Sequence, residues 1–361
     1  MPPQHALTLT LSRRKRVLRH AFRFFRSERG LAVCAAILAL AASGCGSDKV
    51  QPAKPADGKP AAVQVRLFLN WYPEAEHGGY YAALVHGFYR DAGLDVELVK
   101  GGPSAPVVQQ VAGGRIEFGI SNADGLLLAR AEEAQVVALM APLQTSPRCI
   151  MVHESSGITD FAGLKNMTLA MNALPFASFL EKHAMLTNVT IVPYQGSVAQ
   201  FLSDDKFGQQ AYVFSEPFVA RQKGGDPKTL LVADLGFNPY TSVLFTSESY
   251  LREHEDVASS MVAASVKGWT HYLEQPDETN RHIHEINPEM SLEALEYGVK
   301  ALEPLAVDDT TREHGIGSMS IERWQTLTRQ LEELELIKPG AVDAAAVMHR
   351  ASAGETESPK H

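Results

Sequence analysis

The residues best suited to hold a ligand are gathered in one short stretch, Leu69-Asn70-Trp71-Tyr72-Pro73-Glu74-Ala75-Glu76-His77-Gly78-Gly79. Trp71 and Tyr72 carry flat aromatic faces on which a planar ring can stack, and Pro73 stiffens the chain that leaves them. Glu74 and Glu76 would favour an amine or a cationic ring, because a like charge placed about 4 Å from an anion costs roughly 1 to 4 kcal/mol. His77 brings a ring nitrogen ahead of two glycines that open a helix, where backbone N–H groups lack partners and a ligand can approach closely. Each of these residues also has a purely structural reading: Trp71 in a core, His77 as a helix cap, the two acids on a solvated surface.

Further candidates stand at the ends of apolar runs. Ser121 and Asn122, followed by Asp124, come after Ile116 to Ile120, where they either cap a helix or offer a hydroxyl and an amide to a ligand. Asn172 and Phe176 follow Met167 to Met171, and Tyr194 ends the run that starts at Thr190. Glu216 precedes Pro217, as an acceptor for an amine or as a simple charge at a helix start. Tyr240, in Asn238-Pro239-Tyr240-Thr241, falls at a hinge or on a cleft wall. No metal site is expected: His282 and His284 are two residues apart and do not share a helix face. No P-loop, G-x-S-x-G or H-E-x-x-H occurs, so neither a cofactor nor a catalytic group is expected. Cys149, in the apolar context Pro147-Arg148-Cys149-Ile150-Met151, reads as a buried small hydrophobe.

The elements that must position these residues alternate. Strands are predicted at Val65 to Leu69, Leu94 to Val99 and Ile116 to Ile120, with helices at Tyr80 to Ala92 and Ser104 to Ala112. The alternation resumes with strands at Met167 to Met171, Thr190 to Tyr194, Ala211 to Ser215 and Leu230 to Leu235, around helices at Phe176 to Leu186, Ser197 to Ser203 and Pro217 to Lys223. From Glu255 the pattern is helical, with long stretches at Val257 to Glu274, Ser291 to Leu305 and Ser320 to Leu336. Strands separated by single helices are most simply parallel, so the fold class is α/β with doubly wound sheets and ligands at the carboxyl edge of the strands.

The chain has 361 residues, 45% of them hydrophobic, with 42 acidic against 33 Lys and Arg residues. That composition excludes a disordered chain and a polytopic membrane protein, and gives no electrostatic reason to expect nucleic acid. The basic groups are uneven. Residues 1–44 hold eight of them, Arg13 to Arg29, against Glu28 alone, and then an apolar run from Leu31 to Ala42. A basic stretch before an apolar run of about 7 to 15 residues reads as an export signal. Residues 45–62, rich in Pro, Ala, Lys and Asp, read as a tether, and 351–361 as a polar tail.

Two resemblances refine this. Ala42-Ser43-Gly44-Cys45 resembles the lipobox of bacterial lipoproteins, implying cleavage before Cys45 and a membrane anchor through lipid on its thiol. The pattern N-W-x-P-x-x-x-H at 70–77 is followed by Gly87-Phe88-Tyr89 and Ala92-Gly93-Leu94-Asp95-Val96. With Gly113-Gly114-Arg115-Ile116-Glu117-Phe118-Gly119 and Ile158-Thr159-Asp160-Phe161-Ala162-Gly163-Leu164-Lys165, it resembles the periplasmic solute-binding proteins of ABC importers in the nitrate/sulfonate/thiamine-pyrimidine superfamily.

The resemblance implies a two-lobed type II binding fold, each lobe a mostly parallel doubly wound sheet, with the ligand cleft between lobes. Lobe 1 would comprise 63–144 and the return 238–350, and lobe 2 would comprise 145–237. A monomer would capture a small nitrogen-containing planar solute, close to a thiamine pyrimidine precursor, and deliver it to permease and ATPase subunits. A sulfonate- or nitrate-type anion, or a sensor subunit without transport, are the alternatives. Pyrimidine-binding relatives usually have neutral amides where this chain has Glu74 and Glu76. The superfamily's fungal pyrimidine synthase places a lysine and a histidine where this chain has Ser121 and Gly125, so that chemistry is not expected.

Overall fold

The computed structural model describes residues 61–349. The expected signal segment, Cys45, the tether up to residue 60 and the tail lie outside the described residues. Ten strands follow in order: β1 (Val63–Phe68), β2 (Leu94–Val99), β3 (Phe118–Ser121), β4 (Val136–Met140), β5 (Arg148–His153), β6 (Thr168–Ala170), β7 (Thr190–Val192), β8 (Phe207–Tyr212), β9 (Pro227–Leu231) and β10 (Val243–Ser247). They form two five-stranded sheets, ordered β2-β1-β3-β10-β4 and β7-β6-β8-β5-β9. The chain passes from the first sheet to the second after β4 and returns at β10, so two segments, 141–147 and 232–242, join them.

Each sheet is mostly parallel, with one reversed strand. β10 runs antiparallel to both β3 and β4, and β5 runs antiparallel to β8 and β9. The sequence pattern assigns no element to β4, β5 or β10. A parallel strand needs a crossover before it, whereas β5 and β10, which change sheet, arrive without an α-helix and run backwards. The reversal has a consequence for the site: residues just before β5 and β10, not after them, lie at the ligand edge.

Helices α1 (Gly78–Val85), α2 (Phe88–Asp91), α3 (Val107–Ala112) and α4 (Ala123–Ala131) accompany the first strands. α5 (Pro175–His183), α6 (Ala199–Ser203) and α7 (Glu216–Gln222) accompany the second sheet. After β10 come α8 (Glu248–Glu253), α9 (Glu255–Glu274), α10 (Asp277–Ile286), α11 (Leu292–Ala306), α12 (Asp309–His314) and α13 (Ile321–Glu333). On β1, Val65 and Leu67 face a core shared with Tyr80, Tyr81, Met261 and Trp269 from α1 and α9. The predicted helix Tyr80 to Ala92 is in fact two, because Gly87 takes φ 75° and only a residue without Cβ turns there at no steric cost.

Two other boundaries move for identifiable reasons. The predicted strand at Ala211 to Ser215 lies earlier, at Phe207–Tyr212, because Gly208, Gln209 and Gln210 occupy buried strand positions despite their polarity. The predicted strand at Leu230 to Leu235 ends at Leu231, and residues Val232–Leu235 wind into a short 3-10 turn closed by Gly236 at φ 104°. Cys149 is buried on β5 as read, its thiol against the Ala211 carbonyl.

Candidate functional site

The loop after β1 meets the second sheet at the edge where parallel strands end. Trp71 and Tyr72 are 41% and 50% exposed, the only large aromatic side chains so open among the described residues. Their ring centroids lie 5.4 Å apart, edge to face. Trp71 is therefore not a core residue, and an aromatic face this open suits a planar partner.

The acids that follow are buried, not solvated: Glu74 is 7% and Glu76 2% exposed. Glu76 is held, its Oε1 accepting from the Ser242 hydroxyl at 2.7 Å and from Asn70 Nδ2 at 3.4 Å. Ser242 stands immediately before the reversed strand β10 at φ 57°, a left-handed conformation unusual for serine, with its carbonyl fixed by the Tyr80 hydroxyl at 2.7 Å. The Glu74 carboxyl has no hydrogen-bond partner among the described residues. Burial, reinforced by the charges of Glu76 and Glu216, raises its pKa well above the ordinary carboxyl value. Burial also raises Glu76, against the pull of Ser242, Asn70 and Arg148.

His77 is fully buried and closes this loop internally. Its Nε2 lies 2.8 Å from Asn70 Oδ1, while Nδ1 has no partner of hydrogen-bonding geometry. It precedes α1 without capping it through its side chain. Burial, opposed in part by the nearby Tyr72 backbone, lowers its pKa to about 3. A histidine neutral when folded and charged when unfolded costs stability as pH falls from about 6.5 toward 3, at up to about 1.4 kcal/mol per pH unit. His77→Gln, which retains an amide for Asn70, is expected to flatten that acid limb; melting curves from pH 7 to 4 for both proteins measure the difference, and parallel curves would contradict it.

From the second sheet come Arg148, Phe176, Tyr212, Tyr194 and Glu216. The Arg148 guanidinium carbon stands over the Phe176 ring at 4.6 Å and the Tyr212 ring at 4.5 Å. One of its terminal nitrogens donates to the Tyr212 hydroxyl, and Asn122 Nδ2 reaches that same hydroxyl from the first sheet at 3.2 Å. Asn122 thus bridges the sheets, and it does not cap α4 with its side chain. Asp124 instead accepts from the Gly125 N–H at 3.0 Å; burial raises its pKa and Arg148 opposes the rise. Glu216 is occupied by its own scaffold. Its carboxylate accepts from the Tyr194 hydroxyl at 2.9 Å and from the Tyr212 N–H at 2.8 Å, so it fixes the end of β8.

The remaining candidates divide. Ser121 is half-buried at the end of β3, its hydroxyl near the Asn122 carbonyl, and stays beside the site. Asn172 is exposed, its N–H donating to Gln210 Oε1 at 2.7 Å, with no side-chain partner joining it to the others. Tyr240 is not gathered with them. It is 2% exposed, its ring lies under the Arg323 guanidinium at 3.9 Å, and its hydroxyl accepts from the Ser320 N–H. It ties the returning chain to α13 because its phenol finds both an apolar and a polar partner there. Sequence reasoning missed Tyr212, Arg148 and Ser242. Tyr212 ends β8, whereas Arg148 opens the reversed strand β5 and Ser242 immediately precedes the reversed strand β10, and only a topology that runs these two backwards brings them to the ligand edge.

A separate concavity of about 360 Å³, lined by Arg66, Asp95, Glu97 and Glu117 among others, lies along the strand faces of β1 and β2 and away from this edge. Arg66 and Glu117 pair across it at 2.9 Å.

Comparisons with known proteins agree with this architecture. The family model described as NMT1/THI5 like matches residues 74–279. The chain is 25% identical over 232 residues to the formylaminopyrimidine-binding protein of Halalkalibacterium halodurans, covering 60% of this chain and 69% of that one. It is 24% identical over 282 residues to the riboflavin-binding protein RibY of Chloroflexus aurantiacus, covering 74% and 80%. The crystal structure of the periplasmic aliphatic sulphonate binding protein SsuA from Escherichia coli superposes with a TM-score of 0.62 at 15% identity, over 84% of this chain and 96% of that one. The two mixed sheets are thus those of a periplasmic binding fold.

Proposed function

The chain belongs to the NMT1/THI5-like family, and we propose that it is an extracytoplasmic solute-binding protein of an ABC importer, whose two lobes close on a small planar nitrogen-containing solute. The observation that carries this reading is one juxtaposition. An open Trp71–Tyr72 pair shares one loop with Glu74, whose buried carboxyl is unpartnered among the described residues, and Asn122 of the same sheet edge reaches Tyr212 of the second sheet.

A planar ring stacks on Trp71 while an amino group of the same ring donates to Glu74. His77, Asn70 and Ser242 act behind them by holding the loop and Glu76 in place. Closure is the mechanism: lobe 1 comprises 63–144 and 238–350, lobe 2 comprises 145–237, and the two joining segments take up the rotation. The closed monomer, held at the membrane through lipid on Cys45, presents its solute to permease and ATPase subunits. A pyrimidine related to thiamine precursors is the solute class favoured, supported by the chain's similarity to a formylaminopyrimidine-binding protein. The protein binds this solute without transforming it, a reading supported by Ser121 and Gly125 where the fungal pyrimidine synthase has its lysine and histidine.

Thermal unfolding tests the reading. A ligand at 100 times its dissociation constant adds about 2.7 kcal/mol, so an aminopyrimidine is expected to raise the melting temperature and an alkanesulfonate to leave it unchanged. Trp71→Ala is expected to remove the shift. A shift with the sulfonate alone would contradict the solute class.

A further inference from the structure

We propose that Arg148 is a specificity-determining residue, and that the solute carries a carboxylate, or a comparable planar acceptor, on the same ring system that stacks on Trp71. The inference rests on the cleft reading above and narrows its solute to an ampholyte: a donor for Glu74 at one place and an acceptor for Arg148 at another.

Arg148 opens β5, the reversed strand of the second sheet, and so stands at the ligand edge opposite the loop of Trp71 and Glu74. Phe176 and Tyr212 flank its guanidinium at 4.6 and 4.5 Å. Beside those rings, the hydrogen-bonding capacity of the group lies in its N–H donors. A guanidinium has five N–H donors in a fixed planar fork, matched to the two oxygens of a carboxylate. Among the described residues the side chain makes one hydrogen bond, to the Tyr212 hydroxyl, and no salt bridge. The Arg148 charge is felt at Glu76, Asp124 and Glu216, yet none of them pairs with it. Glu76 is turned to Ser242, Asp124 to the Gly125 N–H, and Glu216 to Tyr194 and the Tyr212 N–H. Among the described residues Arg148 is therefore positioned beside two aromatic rings and keeps donors unclaimed, while Glu76, Asp124 and Glu216 are engaged elsewhere.

The test uses the full-length protein and three probes that differ at one position: 4-amino-2-methylpyrimidine carrying at C5 a carboxylate, a carboxamide or a methyl group. Calorimetric titration is expected to give the wild type at least a tenfold preference for the carboxylate over the methyl compound, with the carboxamide between. Arg148→Gln is expected to abolish the preference, its loss of affinity falling at least tenfold more heavily on the carboxylate compound than on the methyl compound. Arg148→Lys, which keeps the charge and loses the fork, is expected to retain only part of it. Melting curves of both variants confirm that they are folded before titration. Equal affinity of the methyl and carboxylate compounds for the wild type, or a uniform loss of all three in folded variants, would overturn this assignment and leave the cleft reading standing. Failure of all three to bind the wild type would overturn both.

Discussion

Glu74→Gln is expected to weaken binding of an amine-bearing planar solute by about 10- to 100-fold while making the unliganded protein more stable by about 1 to 2 kcal/mol. The two effects have one cause. Glu74 is 7% exposed and its carboxyl has no hydrogen-bond partner among the described residues, and the charges of Glu76 and Glu216 act on it in addition to burial. An ionised carboxylate so placed is costly to the fold, and that cost is relieved when a cationic or donating group arrives.

The sign with pH follows from the raised pKa. A carboxyl whose folded pKa exceeds its unfolded value contributes stability that is complete below the ordinary 4.5 and is lost as pH rises through the folded value. The stability gain of Glu74→Gln is therefore expected to be small near pH 4.5 and to grow as pH rises. Urea unfolding at several pH values, paired with calorimetric titration, measures both effects. A variant that binds as well as wild type, or that is less stable across the whole range, would contradict the role given to Glu74.

Gly79→Ala is expected to destabilise the protein by about 3 kcal/mol or more, or to prevent folding. α1 lies directly on α9, and a Cβ at Gly79 would collide with ring atoms of Trp269, one at Gly78 with ring atoms of Tyr272. Gly268 faces them from α9, where a Cβ would meet the Gly79 carbonyl. Trp269 and Tyr272 are fully buried, so neither ring has space to move into, and overpacking of a filled core costs typically 1 to 3 kcal/mol, occasionally more. The close approach matters to function because α1 begins at Gly78, immediately after His77, and so sets the position of the loop of Trp71, Glu74 and Glu76. Chemical denaturation reads the loss. A Gly79→Ala protein within 1 kcal/mol of wild type would show that the helices separate without cost.

Much of the site was legible in the sequence because it is local. Trp71, Glu74, Glu76 and His77 lie within one stretch, and Asn122, Tyr194 and Glu216 each follow or end an apolar run. The roles of two of them were less legible. His77 and Glu216 serve the scaffold, because the groups that occupy them, Asn70 in one case and Tyr194 with the Tyr212 N–H in the other, are set by backbone geometry that residue type does not encode. Tyr240 is placed against Arg323 and Ser320, about 80 residues away in sequence, by a tertiary contact with no local signature. Arg148 reads in the chain as the polar start of an apolar run and acquires its position only when β5 is known to run backwards.

The fold shows the same division. Alternating strands and helices announced most of the parallel parts of both sheets, whereas β5 and β10 lack the intervening helices that make a parallel strand recognisable.

The central claim, that the solute stacks on Trp71 in the cleft, is tested most directly by iodide quenching of tryptophan fluorescence. The chain has three tryptophans. Trp269 and Trp324 are fully buried and Trp71 is 41% exposed, so the quenchable emission belongs to Trp71. A saturating aminopyrimidine that raises the melting temperature is expected to protect this emission from iodide, and Trp71→Phe is expected to show no quenchable fraction with or without ligand. Stabilisation by the ligand with quenching of Trp71 unchanged would place the solute elsewhere and contradict the account.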